Sequence, residues 1–210
     1  MTTTASSKPK SEFNNLITSG IGYIRRARKV QLDGYKKGSY FACTIAALVG
    51  PAPNPTLRFI EAKAVGTEIE NLVRSCIGQD DRNAAPLVQF RAGDLSPDPF
   101  IWKRGPNKDK PAANLKVRLF KAFPVDMEAL ASIERHELVT SGIGYINRIR
   151  FVTPNANDPF IACTVAALTG RKDERQRRYI DTIVSSPSAE HLVRRCVQAS
   201  QSGKTIFASF

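Results

Sequence analysis

The sequence has no run of about 18 apolar residues, so it offers no transmembrane helix. Met1 to Lys10 is rich in Thr, Ser, Lys and Pro and lacks the apolar centre of a signal peptide. Residues 1–12 read as a disordered basic tail, and the expected location is cytoplasmic, where cysteines stay reduced. Cysteine is scarce: Cys43, Cys76, Cys163 and Cys196 form no Cys-x-x-Cys, and only two histidines accompany them. That excludes the common zinc arrangements. Buried structural thiols are expected, with a strand-to-helix disulfide as the alternative. No combination of nucleophile, base and orienting group stands out, and no acidic cluster suits a metal nuclease. The expectation is a protein that is not an enzyme and carries no metal and no cofactor. Two partial motifs fail. Ser202-Gly203-Lys204-Thr205 imitates the end of a phosphate-binding loop, but Gln198 stands where its first glycine belongs and a strand is expected to follow. His136-Glu137 lacks the second histidine of a zinc-protease helix.

Acidic residues are also outnumbered. Lys plus Arg total 31 against 19 Asp plus Glu, a net charge of +12 with a pI near 9.8. Such an excess favours a polyanionic partner. Nucleic acid leads; a membrane surface is not expected, because no basic amphipathic helix stands out. The apolar share of 42% is ordinary, so the chain can bury a core.

An internal repeat organises the chain. Thr18 to Ile24 recurs unchanged as Thr140 to Ile146. Phe41 to Gly50 returns as Ile161 to Gly170, offset by 120 residues, and the same offset links Phe59 to Tyr179, Cys76 to Cys196 and Phe90 to Phe210. The reading is a duplicated domain: copy one over 13–125, a short helical linker over 126–135, copy two over 136–210. The second copy reaches only the equivalent of Phe90. The expectation is therefore an incomplete second barrel, either cut short or completed by another segment or subunit.

Periodicity predicts strands over Gly20–Val30, Tyr40–Val49 and Phe59–Val65, then a helix, then strands over Leu87–Arg91 and Leu115–Phe123. In the second strand Phe41, Cys43, Ile45 and Ala47 share one face, and the small residues Ala42, Thr44 and Ala46 the other. Thr67 and Glu70 have the spacing of a capping box. Ile69, Leu72, Val73 and Cys76 then make an apolar stripe. In copy two, Ser186 before Pro187 suits an N-cap and first turn. Three strands, a helix and two strands is the order of the five-stranded OB barrel. The fold class expected is mainly β: tandem OB-fold-like barrels, each with one helix between strands three and four, the second incomplete.

The Thr18–Ile24 opening, the Phe41–Leu48 strand, the Leu72-Val73-Arg74 and Cys76 helix and the turn at Phe90-Arg91-Ala92-Gly93-Asp94-Leu95 are familiar together. The chain resembles the replication-associated proteins of integrative and conjugative elements, a distant branch of the single-stranded-DNA-binding proteins. That resemblance implies binding of single-stranded DNA in replication or transfer of a mobile element. Two departures stand out. The family usually has one domain per chain, and the related bacterial binders usually end in an acidic recruiting tail, whereas Ile206 to Phe210 holds no acid.

Single-strand binders need cations to follow phosphates and exposed rings on which bases stack. The first strand offers Tyr23, Arg25, Arg26, Arg28 and Lys29, with Tyr145, Arg148 and Arg150 as counterparts. The alternative is that the tyrosines, which share parity with Ile21 and Ile143, are core. Phe59 and Tyr179 face away from Ile60 and Ile180, for stacking or for packing on a partner subunit. Phe100, Ile101, Trp102, Lys103 and Arg104, with Lys108 to Lys110, suit a mobile clamp between strands four and five, and Lys116 and Arg118 continue the positive stripe. In copy two Arg171, Lys172, Arg175, Arg177 and Arg178 precede or open strand three. The expected partner is single-stranded DNA, with RNA open as an alternative, and the expected assembly is a homo-oligomer. A structural adaptor that uses the Ala42, Thr44, Ala46 face to capture an acidic protein is the competing reading.

Overall fold

The computed structural model describes residues 13–14, 16–32, 38–79, 85–155, 158–171 and 174–210. The expected tail over 1–12 lies outside them. In chain order the elements are β1 (Phe13–Asn14), β2 (Ile17–Leu32), β3 (Gly38–Pro51), β4 (Thr56–Ala64), α1 (Thr67–Ser75), β5 (Leu87–Ile101) and β6 (Pro111–Pro124). They continue with α2 (Met127–Ala131), β7 (Arg135–His136), β8 (Val139–Ser141), β9 (Ile143–Val152), β10 (Phe160–Arg171), β11 (Gln176–Val184), α3 (Pro187–Gln201) and β12 (Ile206–Ser209). The chain forms two compact units, Leu16–Ser141 and Met1–Asn15 with Gly142–Phe210. No helix among the described residues is long and apolar enough to cross a membrane.

In the first unit β2 pairs with β3, β3 with β4 and β5 with β6, all antiparallel. β4 pairs with β6 in parallel, and β2 with β5 antiparallel. These five pairings close a barrel with α1 between its third and fourth strands, which is the OB-fold plan. Alternation along each strand fills the barrel: Ile24, Cys43, Ile45, Ile60, Ala62, Val88, Phe90, Val117 and Leu119 are all buried. The predicted stripe of α1 caps them, with Ile69, Val73 and Cys76 buried and Leu72 packed against the cluster. Burying nine side chains of this kind, at roughly 1.5–3 kcal/mol for each large aliphatic, is the main force holding the barrel closed.

Two local expectations need correction. The capping box at Thr67 and Glu70 does not form: Gly66, at φ 93, is the N-cap and no side chain caps the helix. Glycine reaches that φ without steric cost, so the chain enters the helix one residue before the threonine. Ser186 behaves as expected, accepting a hydrogen bond from Ala189 N–H at 3.2 Å with Pro187 in the first turn. The turn expected at Phe90–Leu95 is instead the middle of β5, a 15-residue strand where only Leu87–Arg91 was expected. Register shifts at Arg91/Ala92 and between Gly93 and Ser96, with Asp94 at φ 61, bend the strand around the barrel without ending it. Pro97 and Pro99 lie past the last β2 pairing, on an edge that pairs with no other strand among the described residues, where a missing N–H costs no ladder bond.

The repeated glycine of the opening motif has a direct cause. A Cβ on Gly22 would stand 2.8 Å from the Ala46 carbonyl oxygen, and one on Gly144 would stand 2.6 Å from that of Ala166. The first and second strands of each copy cross too closely there for any side chain.

The second unit repeats the plan in part. β12, β9, β10 and β11 lie side by side as β5, β2, β3 and β4 do, with α3 between β11 and β12 and β1 added at the end of β10. No counterpart of β6 occurs among the described residues, and the sheet is open. The result shows in burial: Ile60, Ala62 and Ala64 are sealed under β6, whereas Ile180, Thr182 and Val184 are half-exposed.

Candidate nucleic-acid interface

With Ile24, Ile45 and Ile60 pointing in, alternation turns a defined set of side chains out. Across β2, β3 and β4 the outward rows are Tyr23–Ala46–Phe59, then Arg25–Thr44–Glu61, then Arg28–Ala42–Lys63. On the other side of β4, Lys116 lies beside Glu61 and Arg118 beside Lys63. Arg25 and Arg28 are three residues apart and should face opposite ways. A bulge between them restores the parity, with Arg26 in the left-handed region at φ 50. Arg148 takes the same φ of 50 at the equivalent place in the second unit. A left-handed arginine is a strained choice, and strain of this kind gathers at functional sites.

The middle strand is the floor. Ala42, Thr44 and Ala46 face outward yet are only 5%, 3% and 0% exposed, because taller neighbours on β2 and β4 stand over them. A cavity of about 160 Å³ lies along this floor, lined by Arg28, Tyr40, Ala42, Glu61, Lys63 and Lys116. Phe59 forms part of the rim and is 57% exposed. Lys63 Nζ sits 4.6 Å from the Tyr40 ring centroid and the Arg25 guanidinium 5.4 Å from that of Tyr23. Glu61 is fully engaged: Thr44 Oγ1 donates to Oε1 at 2.7 Å, and Arg28 Nη2 donates to Oε2 at 2.6 Å. Lys116 pairs with Asp98 at 2.6 Å. The trough thus gathers five cations against two carboxylates. Directly beneath it, burial pushes the Cys43 thiol up to about 12, with Cys76 and Glu61 adding to the shift, so the thiol stays neutral.

Other expected residues are elsewhere. Lys29 pairs opposite Phe41, on the inward parity, and does not face the trough. Phe100 and Ile101 are not loop residues: they end β5, and β5 and β6 run on as a hairpin arm past the last β4 pairing at Leu115. At its tip Phe100 and Trp102 pack edge to face with centroids 5.2 Å apart, and Lys103, Arg104, Lys108 and Lys110 are exposed around them.

The second unit keeps the scheme with different chemistry. Phe207, Tyr145, Ala166 and Tyr179 form one row across β12, β9, β10 and β11. Phe207 and Tyr179 are 55% and 68% exposed, and the Tyr145 and Phe207 centroids are 5.3 Å apart. The Arg177 guanidinium lies 5.4 Å from the Tyr145 centroid. A cleft of about 560 Å³ opens here, lined by Tyr145, Asn147, Arg148, Thr164, Arg177 and Tyr179. The next row is Asn147–Thr164–Asp181, with Thr164 Oγ1 donating to Asp181 Oδ1 at 2.7 Å. Arg150 follows opposite Ala162. Arg178 pairs opposite the buried Ala167, on the other side from Tyr179, and donates to Gln176. Arg175 is exposed before β11; the Arg171 side chain and Lys172 lie outside the described residues.

Sequence reasoning missed Lys63, Tyr40 and Phe207. Parity with Glu61 was a signal for Lys63; nothing short of the β9–β12 register would have placed Phe207 beside Tyr145. No group of His, Cys, Asp or Glu among the described residues could hold a metal ion. Ser202 caps the C-terminal end of α3 and Gly203 follows at φ 71, so the Ser202–Thr205 stretch points carbonyl groups, not amide donors, at its surroundings.

The chain belongs to the family described as protein of unknown function (DUF3577), whose model matches residues 7–130 and again residues 129–210. No curated protein matches it.

Proposed function

We propose that the protein binds single-stranded nucleic acid, DNA first, with little dependence on sequence. One observation carries this reading: in each unit, rings and cations converge on a trough whose floor is a strand of alanine and threonine. Phosphates would lie along Arg25, Arg28, Lys63, Lys116 and Arg118 in the first unit and along Arg148, Arg150 and Arg177 in the second. Bases would stack on Tyr23, Phe59, Tyr145, Tyr179 and Phe207, each stacked base contributing roughly 1–3 kcal/mol. The arm ending in Phe100, Trp102, Lys103 and Arg104 would close over the strand. A duplex cannot use this surface, since its bases present no free faces. The resemblance to the replication-associated proteins supports a role in the cytoplasmic replication or transfer of a mobile element, acting as a homo-oligomer. The buried Ala42–Thr44–Ala46 row weighs against the adaptor reading, because that face lies under its neighbours.

Fluorescence titration with oligo-dT at several salt concentrations tests the proposal. The slope of log K against log salt should be about −0.7 for each phosphate neutralised. Oligo-dT should outcompete duplex DNA, and an RNA strand of equal length reports the sugar preference. Affinity independent of salt, or equal affinity for duplex, ends the proposal.

A further inference from the structure

The two troughs differ at one hydrogen-bonding position. In the first unit both Glu61 oxygens are occupied, by Thr44 and by Arg28. In the second, Asp181 receives Thr164 on Oδ1 alone, and Oδ2 has no hydrogen bond or ion pair among the described residues. Asp181 is exposed, and it follows Tyr179 by two residues on the same face of β11. Two residues of strand span about 7 Å. A base stacked on the Tyr179 ring with its pairing edge along the strand therefore meets that carboxylate. Across Thr164 stands Asn147, where the first unit has Arg25. Asn147, Thr164 and Tyr179 line the cleft of about 560 Å³, which Asp181 adjoins through its bond with Thr164, and that volume falls within the size range of small-ligand sites, roughly 300–1,000 Å³.

Building on the single-strand reading, we infer that this cleft is a base-reading subsite selective for guanine within a single strand. A carboxylate offers two acceptors side by side and no donor. Guanine alone presents two adjacent donors on its pairing edge, the ring N1–H and the exocyclic amine. Adenine and cytosine place an unprotonated ring nitrogen beside their amine, which the second carboxylate oxygen repels. Thymine flanks its single N–H with carbonyls on both sides. Oδ1 can accept from guanine while holding Thr164, since it has a second lone pair. The first trough cannot read in this way, because Arg28 already occupies its carboxylate.

The test uses the full chain and oligo-dT strands carrying one central guanine, inosine, adenine or cytosine, with free GMP as competitor. The guanine strand should bind about tenfold tighter than oligo-dT, a step worth about 1.4 kcal/mol, and inosine, which lacks the exocyclic amine, should recover only part of it. Asp181→Asn retains an oxygen for Thr164, so the strand pairing has no reason to fail, and the affinity ratio should fall toward one. Tight binding to oligo-dT with no guanine preference overturns this inference and leaves the single-strand reading standing. No binding to any strand removes both. GMP competing as well as the guanine strand overturns the assignment to a polynucleotide, and an unchanged ratio in Asp181→Asn overturns the assignment to Asp181.

Discussion

The two copies share their strand order, the left-handed arginine at the bulge and the threonine–carboxylate pair on the floor, but differ in closure and in the chemistry of the trough. The first is sealed by β6 and sets five cations beside Tyr23, Tyr40 and Phe59; the second is open and sets Arg148, Arg150 and Arg177 beside Tyr145, Tyr179 and Phe207. Arg25 and Lys63 become Asn147 and Ile183, and Leu87 becomes Phe207. The duplicated scaffold thus carries two different surfaces. On the proposed function both copies hold backbone and bases, with the first weighted toward the backbone by its additional cations.

The sharpest difference should appear in stability. Ile60→Ala empties a sealed site and should cost about 2–5 kcal/mol. Ile180→Ala removes the same atoms from a half-exposed site, where part of the transfer energy was never gained, and should cost well under half as much. Urea unfolding followed by hydrogen exchange, read copy by copy, measures both. Equal losses would mean that the second core is covered as completely as the first.

Binding should divide next. Tyr179→Ala should weaken oligo-dT binding by roughly 1–3 kcal/mol with little change of salt slope, since stacking releases no counterions. Replacing Arg25 and Lys63 with alanine should lower the magnitude of the slope by about 0.7 for each cation removed. Titrations of both variants across salt would refute the division of labour if the slope changes were reversed.

Much of this comparison was legible in the sequence. Offsets of 122 in the first strand and 120 from the second strand onward fix which residues correspond, and strand alternation alone placed Phe59 and Tyr179 outward and Cys43 inward. What was not legible has physical causes. A left-handed bulge usually carries glycine, so an arginine at position 26 gave no sign that Arg25 and Arg28 share a face. Gly93, Asp94, Pro97 and Pro99 have turn chemistry; the register shift with Asp94 at φ 61 keeps the first two in β5, and an edge without a partner strand among the described residues admits the two prolines. Arg178 was grouped by charge although alternation sets it on the other face from Tyr179, whereas Lys29 has the parity of Arg25 and only the bulge turns it away. Phe207 joins the ring row through a pairing that spans some sixty residues of chain, beyond any local pattern.

Alkaline titration compares the copies at the level of their thiols. The Cys43 pKa is raised from 9.0 to about 12, chiefly by burial, and Cys163 is also raised by burial. Above pH 9 the unfolded chain releases the Cys43 proton while the folded barrel retains it. Stability is therefore complete below pH 9 and falls between pH 9 and 12, by about 1 kcal/mol near pH 10. Cys43→Ala should flatten that fall relative to its own value at pH 7. A first-unit Tm that declines equally in the variant would assign the loss to other groups.

The smallest effect probes a contact that distinguishes the two floors. Arg28 is held by Glu61 with side-chain exposures of 45% and 24%, so solvent screens the pair and it contributes only about 0.2–1 kcal/mol to the fold. Glu61→Gln keeps an oxygen for the Thr44 hydroxyl but releases the guanidinium. The barrel should lose little stability, and Arg28 should become free to meet a phosphate. Oligo-dT should then bind slightly tighter at low salt, with a slope steeper by up to about 0.7. Weaker binding would mean that Glu61 serves by aiming Arg28 at the strand, and the first floor would then work through orientation of its charges as much as through their number.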